Sequence, residues 1–127
     1  MKPIRTLALA ALAAAAICSA ALADDKHVIA AQHGGLVAVA SHLEIELVAK
    51  PTAVEVYLRD HGKPLKAAGG SAKLTLLGKS GKTEAPLPAA GDRFEATGAF
   101  NVVAGTKAVV VITLPGKPPL TARFTLK

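Results

Sequence analysis

The chain has 127 residues, 51% of them hydrophobic and only 3% aromatic, with one cysteine and a formal net charge of +6. That length holds one small domain around one core. A single cysteine excludes an internal disulfide framework and a multi-thiolate metal site. The shortage of aromatic rings excludes a stacking platform for single-stranded nucleic acid and argues against a sugar-binding surface.

The first residues read as an export leader. Lys2 and Arg5 form a basic n-region, Thr6 to Ala21 is almost wholly apolar, and Ala21-Leu22-Ala23 is an A-x-A cleavage site before Asp24-Asp25. The alternative is an uncleaved anchor, since the apolar run is marginal for spanning ~30 Å of hydrocarbon. Cys18 does not indicate lipidation, because Ile17 stands where a lipobox needs a small residue. The expectation is a signal peptide over 1–23 and a single periplasmic or secreted domain over 24–127, with no membrane association after cleavage. That domain has no cysteine, and the loss of Lys2 and Arg5 leaves it a net charge of +4. Its lysines (Lys50, Lys63, Lys66, Lys73, Lys79, Lys82, Lys107, Lys117) never form a block, so they read as a solvated surface and not as a nucleic-acid interface.

Period two dominates the exported domain. A bend at Gly34-Gly35 leads from an N-terminal β-segment into His42 to Val48, where Leu43, Ile45 and Leu47 face one way and His42, Glu44 and Glu46 the other. In Ala53 to Asp60 the inward set is Val54, Val56 and Leu58, against Glu55, Tyr57 and Arg59. Pro51 cannot enter a primed two-residue turn, so a four-residue connection centred on Lys50-Pro51 is expected. Leu47 then opposes Val54, Glu46 opposes Glu55 and His42 opposes Arg59. A Glu–Glu pair across a hairpin needs a relieving cation, either Lys50 or a bound metal.

The remaining segments repeat the pattern. Lys73 to Leu77 is a short strand, Gly78-Lys79-Ser80-Gly81 a turn, and Thr83 to Leu87 an edge strand, because Pro86 and Pro88 exclude a central place. Arg93 to Ala99 turns Phe94 and Ala96 inward. Lys107 to Leu114 carries a continuous β-branched run suited to a central strand, with Val109 and Val111 assigned to the core. Pro115 to Pro119 turns the chain into Leu120 to Leu126, whose Leu120, Ala122, Phe124 and Leu126 alternate with polar residues. Seven or eight short strands with no helical period predict an all-β antiparallel sandwich of immunoglobulin-like kind. An eight-stranded barrel is the alternative.

Two catalytic look-alikes fail on context. His33-Gly34-Gly35 is similar to a lipase oxyanion loop, but no G-x-S-x-G elbow accompanies it. Gly78-Lys79-Ser80 is similar to the end of a P-loop, but the glycine required five residues earlier is Lys73. No nucleophile–base pair is assembled, so the chain reads as non-enzymatic. The histidines carry more weight. His27, His33, His42 and His61 all lie in the first third of the exported domain. Imidazole and carboxylate without sulfur suit copper or zinc, which makes His33, His42, Glu44 and His61 the candidate metal ligands, with His27 as a mobile contributor.

The run HGGLVAVASHLEIELVAKPTAVEVYLRDHGKPL, residues 33–65, resembles a segment of the periplasmic adaptor subunits of heavy-metal RND efflux pumps of the cobalt–zinc–cadmium type, and of small stand-alone exported proteins. The shared elements are His33-Gly34-Gly35, Glu46-Leu47, Val56-Tyr57-Leu58 and Asp60-His61-Gly62-Lys63-Pro64, with Gln32 in place of the usual proline. The coiled-coil hairpin and lipoyl-like segments of an adaptor are missing. The resemblance implies a stand-alone periplasmic β-sandwich associated with metal handling, with an envelope or efflux-system protein as a partner. The competing expectation is a structural or protein-interaction module of the envelope with no metal role. The D-x-G-K-P turn also has a purely structural reading, with Asp60 capping it and Gly62 supplying positive φ.

Overall fold

The computed structural model describes residues 30–127; the expected leader and cleavage site, with His27, lie outside the described residues. Where hydrophobic and polar residues alternate, the chain forms strands: β1 (Leu36–Ala40), β2 (Leu43–Ala49), β3 (Ala53–Asp60), β4 (Lys63–Leu65), β5 (Ser71–Gly78), β6 (Gly81–Leu87), β7 (Ala89–Ala90), β8 (Arg93–Thr97), β9 (Lys107–Thr113) and β10 (Leu120–Thr125). They pair antiparallel in two sheets. The first runs β1-β2-β3-β8-β7, with β4 on the far end of β3; the second runs β10-β9-β5-β6. The sheets stay separate, so the fold is a β-sandwich and not the barrel. The strands beyond the expected seven or eight include β4 and β7, of three and two residues. Pieces that short carry no readable alternation.

The core lies between the sheets. Ile45, Leu47, Val54, Val56 and Phe94 from the first sheet meet Leu74, Leu76, Val110, Ile112 and Phe124 from the second, all buried. At ~1.5–3 kcal/mol for each large side chain taken out of water, this layer is the main source of stability. The β9 run is central, as expected, but its phase is the reverse of the expected one. Ala108, Val110 and Ile112 are buried, whereas Val109 is half-exposed and Val111 exposed. A continuous β-branched run does not reveal its own phase, and here only one face of the sheet is covered.

The β2–β3 hairpin is displaced by two from the expected register. Lys50 and Ala53 exchange both backbone hydrogen bonds around Pro51-Thr52, so Leu47 opposes Val56 and Ile45 opposes Leu58. The turn is a two-residue one with no positive φ, which Pro51 accepts. An even displacement keeps every side chain on its face. It also removes the expected Glu46–Glu55 pair: Glu46 opposes Tyr57, and Glu44 opposes Arg59.

Candidate functional site

The outer face of the first sheet carries the polar residues of the histidine-bearing segment. β1 and β2 end in the turn Ser41-His42, whose φ values of 48° and 66° are those of a primed hairpin turn made without glycine. His42 is therefore a turn residue, exposed, and does not share a strand face with Glu44 as expected. Glu44 projects from β2 beside Arg59. Its Oε2 lies 3.5 Å from Arg59 Nε, too poorly aligned for a hydrogen bond, and its Oε1 accepts from Gly62 N–H at 3.2 Å.

Alternation points Glu46 outward, and it does leave the sheet on that side. Yet it is completely buried, as is nearly all of Arg59. The reason is the segment Gln32 to Gly35, which folds back over β2 as a strap. Glu46 Oε1 accepts from Gln32 N–H at 2.9 Å, and Oε2 accepts from His33 N–H at 2.8 Å and Gly35 N–H at 3.0 Å. His33 Nδ1 adds a contact of 3.2 Å to Oε1, and Arg59 Nη2 lies 3.7 Å from the same oxygen. Both terminal nitrogens of Arg59 donate to the Ala30 carbonyl at 3.3 Å, fixing the strap at its other end. Burial pushes the Glu46 carboxyl up; the Gln32, Gly35 and His33 backbone donors and the His33 ring outweigh it, and the group sits below its ordinary 4.5.

The two glycines of the His-Gly-Gly motif have separate tasks. Gly34 adopts φ +76° in open space. At Gly35 a Cβ would drive into the Leu47 carbonyl, so only glycine lets the strap lie this close to β2. His33 stacks on Tyr57, with ring centroids 3.6 Å apart and planes 5° from parallel. The Tyr57 hydroxyl donates to Glu55 Oε2 at 2.8 Å. Burial first, then that hydrogen bond and the Glu55 charge, push the phenol up to about 12.

Of the four candidate ligands, His33 contacts Glu46 and Glu44 lies beside Arg59, His42 sits at a turn tip, and His61 is 85% exposed with Nε2 3.5 Å from Asp60. Among the described residues no three His, Cys, Asp or Glu side chains converge to hold a metal ion. The functional-looking residues that sequence reasoning left aside are Glu46 and Arg59. Alternation assigns both to solvent, and the signal that could have exposed them was the Gly34-Gly35 pair, which allows the chain to double back. Comparison of the chain with protein-family models, curated proteins and solved structures finds no match.

Proposed function

We propose that the chain is an exported, non-enzymatic binding module of the cell envelope, in which the Glu46–Arg59 cluster is a clasp for the N-terminal strap. The observation that carries this reading is the saturation of Glu46. Both its oxygens are engaged by the strap, so the strongest buried ligand of the region is already spent inside the fold. The side chains of His33 and His61 contact carboxylates, and His33 also an aromatic ring; none of these contacts is to a hydroxyl that could act as a nucleophile. Export rests on the Ala21-Leu22-Ala23 leader, and an intact mass that retains residues 1–23 would remove that support.

A second reading, a metal-associated accessory for copper or zinc, is favoured by one feature. His33 Nδ1 is held by a carboxylate, leaving Nε2 for a ligand, the orientation common among metal-binding histidines. Calorimetric titration with Cu(II) and Zn(II), comparing wild type with His33→Ala/His42→Ala/His61→Ala, decides between them. The module reading expects no binding at ~100 μM metal, or equal binding by both proteins. Binding that the triple variant loses would establish the metal reading in its place.

A further inference from the structure

The basic residues that look scattered in the sequence converge on the outer face of the second sheet. Lys73, Lys82, Lys107 and Arg123 all occupy outward positions on its four strands, against a single carboxylate, Glu84. Glu84 lies at the β6 edge, where it bridges Lys73 at 3.1 Å and Lys82 at 3.0 Å. Lys107 and Arg123, toward the β10 edge, make no ion pair among the described residues. The register sets Lys107 between Leu77 and Thr125, and Val109 beside Arg123. Lys107 and Arg123 are thus diagonal neighbours, ~7–8 Å apart at the backbone, a spacing that lets two long cationic side chains close on one phosphate. With Leu77, Val109 and Thr125 they line an open depression of about 380 Å³, and Leu77 is 43% exposed in it. The opposite face of the molecule is acidic, with Glu44, Glu46, Glu55 and Glu95 against Arg59 and Arg93.

Against the sequence-based expectation of no membrane association, we propose that this face docks on an anionic phospholipid surface, with a headgroup phosphate between Lys107 and Arg123 and the alkyl part of the lipid against Leu77 and Val109. The proposal rests on the binding-module reading and names its partner. Four strands ~4.8 Å apart and seven residues long cover a flat face of ~450 Å², less than the ~800 Å² per partner of a standard-size protein interface. A plane of repeated negative charge needs no such area, because each basic side chain contributes separately. Among the described residues, segregation of acidic groups to the far side leaves this the large sheet face that such a plane attracts.

The test is cosedimentation of the exported protein with vesicles of equal parts phosphatidylglycerol and phosphatidylcholine, and with phosphatidylcholine alone. Binding is expected to the anionic vesicles only and to weaken with added salt. It should fall roughly tenfold or more in Lys107→Ala/Arg123→Ala, while Lys63→Ala/Lys66→Ala, which removes the same charge elsewhere, leaves it nearly intact. All substituted positions are exposed, and unchanged circular dichroism confirms folding. Absent binding, equal binding to neutral vesicles, or equal losses in the two variants would overturn the proposal. Displacement by inorganic phosphate at matched ionic strength would assign the site to free phosphate instead, and polyglutamate binding as tightly as the vesicles would assign it to an acidic polypeptide. The metal titration is independent: histidine-bound metal would overturn the module reading and leave the vesicle result standing, whereas failed vesicle binding overturns only this assignment.

Discussion

The His33 imidazole lies flat on the Tyr57 ring, 3.6 Å between centroids. A strap residue is thereby joined to β3, and the only tyrosine of a chain without tryptophan becomes an optical reporter of that joint. Replacing His33 with alanine should change the intrinsic fluorescence while leaving the far-ultraviolet circular dichroism unaltered. An unchanged emission spectrum would contradict the stack.

The same tyrosine can be titrated alone. Its phenol should ionise near pH 12, because burial and the hydrogen bond to Glu55 both disfavour the phenolate. In Glu55→Gln the midpoint should move down toward the ordinary ~10. Near-ultraviolet absorbance against pH reads both values directly, and equal midpoints in the two proteins would contradict the assignment.

Glu46 makes stability depend on acid. Its folded-state pKa is depressed, so its contribution is fully present above the ordinary 4.5 and disappears as pH falls through the lower folded value. Glu46→Gln keeps the shape but offers one acceptor oxygen to donors that now use two. At neutral pH it should cost about 2–4 kcal/mol in urea unfolding. Because the wild type alone loses stability as this carboxylate protonates, the gap between the proteins should narrow below pH 4.5. A gap that stays constant into acid would count against the clasp.

The two glycines of the strap separate by mechanism. Gly34→Ala introduces only the strain of a positive φ, about 1–2 kcal/mol. Gly35→Ala sets a methyl against the Leu47 carbonyl and should cost about 3 kcal/mol or more, since β1 must part from β2 to admit it. Thermal unfolding of the two variants ranks them, and the reverse order would refute the close approach.

Alternation made the sandwich legible, because Leu43, Ile45, Leu47, Val54, Val56 and Leu58 each sit on the face that a period of two assigns them. Phase is lost where alternation is lost. In the β9 run Val109-Val110-Val111-Ile112 every residue is equally apolar, and only the neighbouring sheet decides that Ile112 is covered and Val111 is not. Ile112→Ala should therefore cost ~2–5 kcal/mol, and Val111→Ala about 0.5 kcal/mol. Chemical denaturation of the pair measures the phase directly. The Glu46 clasp was illegible for a different reason: its ligands are backbone N–H groups, which every sequence possesses. Only Gly34-Gly35 hints that the backbone comes near. The basic face was hidden likewise, since Lys73, Lys82, Lys107 and Arg123 become neighbours only through strand pairing.

The two-residue turn Ser41-His42 offers a gain in stability. Both residues hold left-handed conformations that glycine accepts at no steric cost. His42→Gly should raise unfolding stability by up to about 1 kcal/mol. A loss would show that the His42 side chain contributes something the geometry does not reveal.

The two sides of the sandwich where its sheets end have a bearing on how the protein behaves when crowded. On one side β1 and β10 lie against each other across the gap between the sheets. On the other, β6 carries Lys82, Glu84 and Pro86 on its exposed positions, and Pro88 follows, its carbonyl already accepting from Glu95 N–H. A proline presents no donor, and a charged strand repels a flat apolar one, so the β6 margin does not invite another chain to add itself as an extra strand. A small, aliphatic-rich β-protein is ordinarily at risk of polymerising into fibrils. Here the resistance resides in a few residues at one edge, and Pro86 is the one whose loss would leave that edge open.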